Sequence, residues 1–212
     1  MARRLQVLAL LARAVAVTAA AVWIGAFPAG PVPAAAGARP VGGGVVSVSC
    51  TSAGSCAAVG FFNFPHGVKR PLVMSEIGGA WGKAGTVPGL PALPGGDRFA
   101  VLGTVSCSSA GNCSAGGCYQ ENGCPENWPS QALVVTERDG VWGKAQAVPG
   151  VAALNTGRDA DVDLMSCSSA GNCTAAGTYP DTRNPDESQQ VFVVSEKNGA
   201  WGTATTFPAQ RP

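Results

Sequence analysis

Glu76, Glu137 and Glu196 each stand five residues ahead of a tryptophan: Trp81, Trp142 and Trp201. More than one carboxylate raises the question of glycoside hydrolysis, which places two of them about 5–9.5 Å apart around one sugar linkage. One carboxylate per repeated unit argues for a simpler role, because equivalent positions in separate units need not converge on one bond. Each glutamate is then a structural group paired with a neighbouring strand or turn. The only histidine, His66, lies between Phe64-Pro65 and Gly67 in a polar loop. A serine or cysteine nucleophile would have to use it as base, and no G-x-S-x-G occurs to offer a serine. A solvated loop histidine is the expectation. Asp159, Asp161 and Asp163 have the D-x-D-x-D spacing of a calcium loop, but Leu164 and Ala170 occupy the places of its glycine and its closing glutamate. Solvation of a strand's start is expected there. Neither a metal nor an organic cofactor is implied.

The eight cysteines carry the clearest chemistry. Cys50 and Cys56, Cys107 and Cys113, Cys118 and Cys124, and Cys167 and Cys173 are all spaced C-x5-C. Zinc ligands prefer C-x2–4-C with histidine or a second such pair. Eight cysteines allow 105 pairings in the abstract, and repetition reduces them to these four. Disulfides are predicted, each closing a short loop that contributes about 2 kcal/mol on the chain-entropy view. Asn112-Cys113-Ser114 and Asn172-Cys173-Thr174 match the N-glycosylation pattern, but their central residue is a bridged cysteine in a tight turn.

These residues belong to a unit written three times. SCTSAGSC (Ser49–Cys56), SCSSAGNC (Ser106–Cys113) and SCSSAGNC (Ser166–Cys173) are each followed by a second block. Those blocks are SEIGGAWG (Ser75–Gly82), TERDGVWG (Thr136–Gly143) and SEKNGAWG (Ser195–Gly202). In each unit the first block predicts two strands joined by a five-residue turn, as in Val45–Cys50 and Cys56–Phe62. A variable polar loop follows. Leu72–Ile77, Leu133–Arg138 and Phe192–Lys197 predict third strands. Gly78-Gly79, Asp139-Gly140 and Asn198-Gly199 are the dipeptides of a two-residue type I′ turn, which needs φ > 0 twice. That turn sets Glu76 opposite Trp81, Glu137 opposite Trp142 and Glu196 opposite Trp201. Lys83 and Lys144 are then expected diagonal to their glutamates and within pairing reach. The strands are apolar on both faces, which calls for cover on both sides. No sustained helical period follows the N-terminal segment, so about twelve short strands are expected.

The SCxSAGxC and (S/T)ExxGxWG blocks resemble Cys-paired repeats of secreted proteins from high-GC Gram-positive bacteria, which look like kelch-type or Asp-box-type β-propellers. The resemblance covers Val45 to Pro208. It implies propeller blades and is silent on activity. The chain departs from the Asp-box pattern S-x-D-x-G-x-x-W: Asp139 directly precedes Gly140, and Trp142 comes one residue early. The expected fold is all-β, with three tandem four-stranded antiparallel repeats at about 45–88, 102–149 and 162–208. These are propeller-blade-like; a β-trefoil-like arrangement or a sandwich is the alternative. Propellers have four to eight blades, so three blades would leave edges and faces open and favour self-association, two chains giving six. A trefoil would be monomeric.

Residues 1–38 read as a signal peptide, leaving 39–212 as the β domain. Arg3 and Arg4 precede an apolar run, clean from Ala14 to Phe27, and small residues recur at Ala34, Ala36 and Ala38. The clean run falls short of the roughly 20 residues a spanning helix needs; an uncleaved anchor is the alternative. A secreted or cell-surface protein is expected. Without Arg3, Arg4 and Arg13 the chain has 11 basic and 13 acidic residues. That balance gives no electrostatic support for nucleic-acid binding.

These observations lead us to expect an exported, disulfide-stabilised binding or scaffold protein with a protein or glycan partner of the cell envelope. A carbohydrate-active hydrolase is the alternative. Membrane contact is expected only if the signal segment stays attached. The second variable loop, Cys118–Trp128, has its own cysteine pair. Tyr119 and Trp128 in it are candidate binding residues, since a pre-ordered loop loses less entropy on binding and these side chains dominate binding hot spots.

Overall fold

Each repeat folds as the turn chemistry dictates. The computed structural model describes residues 38–120, 130–156, 159–183 and 189–206. The signal-peptide reading of 1–38 falls almost wholly outside them, as do Cys124 and Trp128. The described residues all belong to one compact part of the chain, Ala38–Pro212.

Unit 1 comprises β1 (Gly42–Ser52), β2 (Ser55–Asn63), β3 (Lys69–Ile77) and β4 (Ala80–Trp81). Unit 2 comprises β5 (Phe99–Ser109), β6 (Asn112–Gln120), β7 (Gln131–Arg138), β8 (Val141–Trp142) and β9 (Gln146–Ala147). Unit 3 follows a one-turn helix α1 (Val151–Leu154). It comprises β10 (Asp161–Ser169), β11 (Asn172–Pro180), β12 (Gln189–Lys197), β13 (Ala200–Trp201) and β14 (Thr205–Thr206). Within each unit the first four strands pair antiparallel in chain order, and β9 and β14 pair back onto β7 and β12. The first hairpins set Cys50 opposite Cys56, Cys107 opposite Cys113 and Cys167 opposite Cys173. Each pair is a disulfide with Cα atoms 4.0 Å apart. Cys118 is also disulfide-bonded; its expected partner Cys124 lies outside the described residues.

The type I′ turns form as expected. Asp139 and Asn198 take φ of 49° and 50°, and Gly140 and Gly199 take 80° and 78°. Each turn is tied to the disulfide hairpin of its own unit. Gly79, Gly140 and Gly199 donate their N–H groups to the carbonyls of Gly54, Gly111 and Gly171 at 2.9, 2.9 and 2.8 Å. In units 2 and 3 the SAGNC asparagine adds a second tie: Asn112 and Asn172 accept from the N–H groups of Asp139 and Asn198 at 3.3 and 3.1 Å. The three repeated disulfides and the tight turns therefore share one end of every unit. The variable loops leave from the other.

Two irregularities recur. In each first hairpin the pairing slips by one residue, between Val45 and Ser47, Leu102 and Thr104, and Val162 and Leu164. The bulge brings a first-strand carbonyl against a glycine of the second strand. A Cβ on Gly60, Gly117 or Gly177 would lie 2.0, 2.1 or 2.0 Å from the carbonyl oxygen of Gly44, Val101 or Asp161. Glycine is required there because backbone comes too close for any side chain.

The second irregularity corrects the sequence reading. Fourth strands are not continuous. Glu137 pairs with Trp142, but Leu133 pairs with Ala147, so one extra residue intervenes. Unit 3 repeats this with Glu196 opposite Trp201 and Phe192 opposite Thr206. With the interruption the described residues contain fourteen strands, where about twelve were expected. It also takes Lys83 and Lys144 out of the alternation that would set them beside Glu76 and Glu137.

β5 packs between β1 and β10, so the first strands of the units are neighbours. Backbone also crosses between units at matching places: Lys69 pairs parallel with Phe99, and Ser130 with Asp159. The two apolar cores lie between units. One joins Val59 and Val73 of unit 1 to Leu102 and Leu133 of unit 2. The other joins Val134 and Val148 of unit 2 to Val162 and Phe192 of unit 3. The described strands form neither a closed barrel, as a trefoil requires, nor a closed propeller.

Gly117→Ala is expected to cost about 1–3 kcal/mol, the usual penalty for overpacking. Gly103→Ala, where a Cβ meets nothing within 4 Å, is expected to be near neutral. Urea unfolding of both variants checks this; equal effects would show that the bulge does not impose the glycine.

Candidate functional site: the junctions between units

The glutamate–tryptophan pairs are the chemistry the sequence singles out, and the structure puts two of the three inside the protein. Glu137 and Glu196 are 1 % and 2 % exposed. The I′ hairpin places each carboxylate opposite its tryptophan, and the next partner comes from the preceding unit. Trp142 Nε1 donates to Ser75 Oγ at 3.1 Å, and Ser75 Oγ donates to Glu137 Oε1. Trp201 Nε1 donates to Thr136 Oγ1 at 3.3 Å, and Thr136 Oγ1 donates to Glu196 Oε1 at 2.8 Å. An indole, a hydroxyl and a carboxylate thus form the same relay across both junctions. The hydroxyl is the Ser/Thr that opens each (S/T)ExxGxWG block, one residue before its own unit's glutamate.

Other contacts recur with it. Cys107 N–H donates to Ser49 Oγ and Cys167 N–H to Ser106 Oγ, both at 3.0 Å. Ala145 N–H donates to the Pro88 carbonyl at 2.8 Å and Ala204 N–H to the Pro149 carbonyl at 2.9 Å. The bulge in the fourth strand frees these alanine amides from the sheet ladder. The residue before each tight turn lies across the next unit's turn. A Cβ on Gly140 would meet Ile77 Cδ1 at 3.1 Å, and one on Gly199 would fall on the Arg138 guanidinium.

The junctions differ at one donor. Ser114 Oγ gives Glu196 Oε2 a second bond at 2.9 Å. Ala57 holds that place in unit 1, and Glu137 Oε2 is buried with no hydrogen-bond partner. Burial raises the Glu137 pKa above the usual carboxylate range, with the Ser75 bond pulling the other way. Ser75, not Lys144, is the partner of Glu137.

The remaining candidates are scattered. His66 sits exposed in a short 3₁₀ turn, Pro65–Gly67. The Asp159 carboxylate accepts from Ser130 Oγ at 3.2 Å and that of Asp163 from Thr178 Oγ1 at 3.1 Å. Asp161 carries a pKa raised to about 7 by burial, then by Asp163 and Asp159, against a bond from the Val162 N–H. The three are strung along the start of β10, and among the described residues no group of acids, histidines or cysteines is placed to hold a metal ion.

Tyr119, expected as a binding residue, is 5 % exposed and belongs to the core between units 1 and 2. It stands six residues after Cys113, as Phe62 follows Cys56 and Tyr179 follows Cys173. Tyr179 is buried in the second core. Alignment of the repeats on their cysteines carries this signal: an aromatic at the same position in every unit, in the core in units 2 and 3 and half-buried in unit 1. Trp128 lies outside the described residues. Comparison with family models, curated proteins and solved structures finds no match to this chain.

Ala57→Ser supplies the donor that Glu137 lacks and is expected to stabilise the chain by about 1 kcal/mol at neutral pH. The gain is expected to shrink in acid as the carboxyl becomes protonated. Thermal unfolding at two pH values reads it, and a loss of stability at neutral pH would reject the missing-donor account.

The Asp161 folded pKa lies above its ordinary value of 3.8, so the folded state holds this proton more tightly than the unfolded chain. Its contribution is full below about 3.8 and is lost as pH rises to about 7. The raised Glu137 pKa acts in the same direction. Thermal midpoints are expected to fall from pH 5 to pH 8, and Asp161→Asn is expected to flatten that slope. An unchanged slope in Asp161→Asn would locate the effect elsewhere.

Proposed function

We propose that this chain is an exported, non-enzymatic binding or scaffold protein whose units are blades of a β-propeller-like frame. The observation that carries the reading is the use made of the repeated chemistry. Glu137 and Glu196 are buried and hydrogen-bonded between units, where no sugar linkage reaches them. A glycosidase needs two carboxylates facing one substrate. The units differ most in length and composition in the loops between second and third strands, at the end away from the repeated disulfides. A rigid frame with unlike loops at one end is the common arrangement of recognition proteins.

Compartment follows from the sulfur chemistry. Among the described residues no cysteine is free, and paired cysteines persist in oxidising surroundings outside the cytoplasm. Among the described residues no helix is long and apolar enough to cross a membrane. Export fits the basic, apolar and small-residue order of residues 1–38. The partner proposed is a protein or glycan of the cell envelope, and the loop carrying Trp128 is the first place to test.

Exported protein is expected to bind envelope preparations saturably, and Trp128→Ala to weaken that binding with the thermal midpoint unchanged. Tyr119→Ala is expected to act through stability instead, losing about 3–5 kcal/mol as large core truncations do. Turnover of envelope glycans that Glu137→Gln abolishes without unfolding the protein would favour the hydrolase. Binding that survives replacement of all three variable loops by short glycine–serine linkers would overturn the recognition role.

A further inference from the structure

Both internal junctions are built from one set of contacts, and the two halves of that set recur on the outer faces of the described units. Let the front of a unit be the face turned to the preceding unit in the chain, and the back the face turned to the following one. Glu137 and Trp142 are front residues of unit 2, Glu196 and Trp201 of unit 3. Their counterparts on unit 1 are Glu76, half-buried, and Trp81, 44 % exposed. The hydroxyls Ser75 and Thr136 are back residues, and so is Ser114. Their counterparts on unit 3 are Ser195 and Thr174, both exposed.

The apolar parts follow the same rule. Leu102 and Val105 of unit 2 are buried at the first junction, and Val162 of unit 3 at the second. The equivalents of Leu102 and Val105 on unit 1 are Val45 and Val48, 57 % and 60 % exposed. Beside Val45 an open cleft of about 420 Å³ is lined by the half-buried Phe62, whose equivalent in unit 2, Tyr119, lies in the core. On the back of unit 3, Val191 is 44 % exposed where its equivalent Ala132 is buried. A Cβ on Gly79 would meet nothing within 4 Å, whereas Ile77 and Arg138 cover the matching turn glycines. Lys197 holds the Ile77 and Arg138 position in unit 3.

We propose that a second copy of this chain docks the front of its unit 1 onto the back of unit 3, and that the reciprocal contact closes a ring of six units. Ser195 then donates to Glu76 and Thr174 supplies its second hydroxyl, while Trp81 donates to Ser195. Ser166, exposed here, receives the N–H of Cys50, as Ser49 and Ser106 receive those of Cys107 and Cys167. Two unlike faces meeting head to tail form a ring only if the rotation closes, and six units fall within the range in which blades close. The occupant is a second copy because the outer faces carry counterparts of the indole, hydroxyl and carboxylate groups and of the serine–cysteine contact of the internal junctions. This inference rests on those junctions and is independent of the envelope partner proposed above.

Sedimentation and light scattering on protein collected after export, at up to about 100 μM, test it at two decades above a micromolar dissociation constant. Twice the chain mass is expected. Val48→Glu obstructs the front and Ser195→Arg the back; Thr174→Arg is a second back variant. All three positions are exposed in the single chain, so unchanged near-ultraviolet circular dichroism confirms that each variant folds. Each alone is expected to weaken association at least tenfold. An equimolar mixture of Val48→Glu with Ser195→Arg is expected to regain a pair through its one intact junction. Monomeric wild-type protein overturns the proposal. Dimers that survive both Ser195→Arg and Thr174→Arg would mean front-to-front contact and overturn it as well. Growth beyond a dimer overturns the closed ring.

Discussion

A carboxylate buried between successive units governs this structure. Ionised, it costs several kcal/mol unless hydrogen bonds replace its water. Glu137 and Glu196 can occupy the junctions only because a hydroxyl of the preceding unit reaches them, and that hydroxyl is itself held by an indole of the following unit. The relay fixes the lateral position of one sheet on the next more sharply than apolar contact does. Apolar contact is non-directional; a buried carboxylate with one or two donors is not. The tight turn that sets glutamate opposite tryptophan, the Ser/Thr beside it and the bulge that frees an alanine amide all serve the same joint.

The disulfides act one level below. Each holds a hairpin whose second strand faces the following unit, as Ala57 and Ser114 do, and whose first strand supplies Ser49 or Ser106 to it. A slip of one residue would turn those side chains to the opposite face. The short C-x5-C loops remove little chain entropy, so their structural consequence is register. The bulge glycines Gly60, Gly117 and Gly177 work to the same end, because the kinked first strand fits only where the second has no side chain.

Local features were legible in the sequence because local geometry determines them. The I′ dipeptides, the three repeated cysteine pairs and the Glu–Trp register all lie within a few residues of chain, and the structure has each where its chemistry requires. Contacts between units were not legible. Nothing near Glu137 in the chain announces Ser75, 62 residues away, and Lys144 was the more obvious partner until the fourth strand proved bulged. Tyr119 misled for a related reason. Read alone beside Glu121 and Asn122 it looks like a loop aromatic; read against Phe62 and Tyr179 it is a core position. Repeated sequences reward comparison between copies before inspection of any one.

The unequal copies show how such a joint is tuned. Unit 1 has Ala57 where unit 2 has Ser114 and unit 3 has Thr174. Alanine leaves Glu137 Oε2 buried without a partner, and burial raises the pKa of that carboxyl. The first junction is therefore sensitive to proton concentration in a way that an added hydroxyl would remove. An apolar residue in place of the glutamate could be equally stable, since burying an ion pair or a charge seldom adds net stability. What it would lose is discrimination: an apolar pair of faces accepts several alignments, whereas a carboxylate rejects every alignment that leaves it without a donor. Specificity of this kind matters most in a chain of near-identical units, where one face could otherwise settle on the next in several alignments.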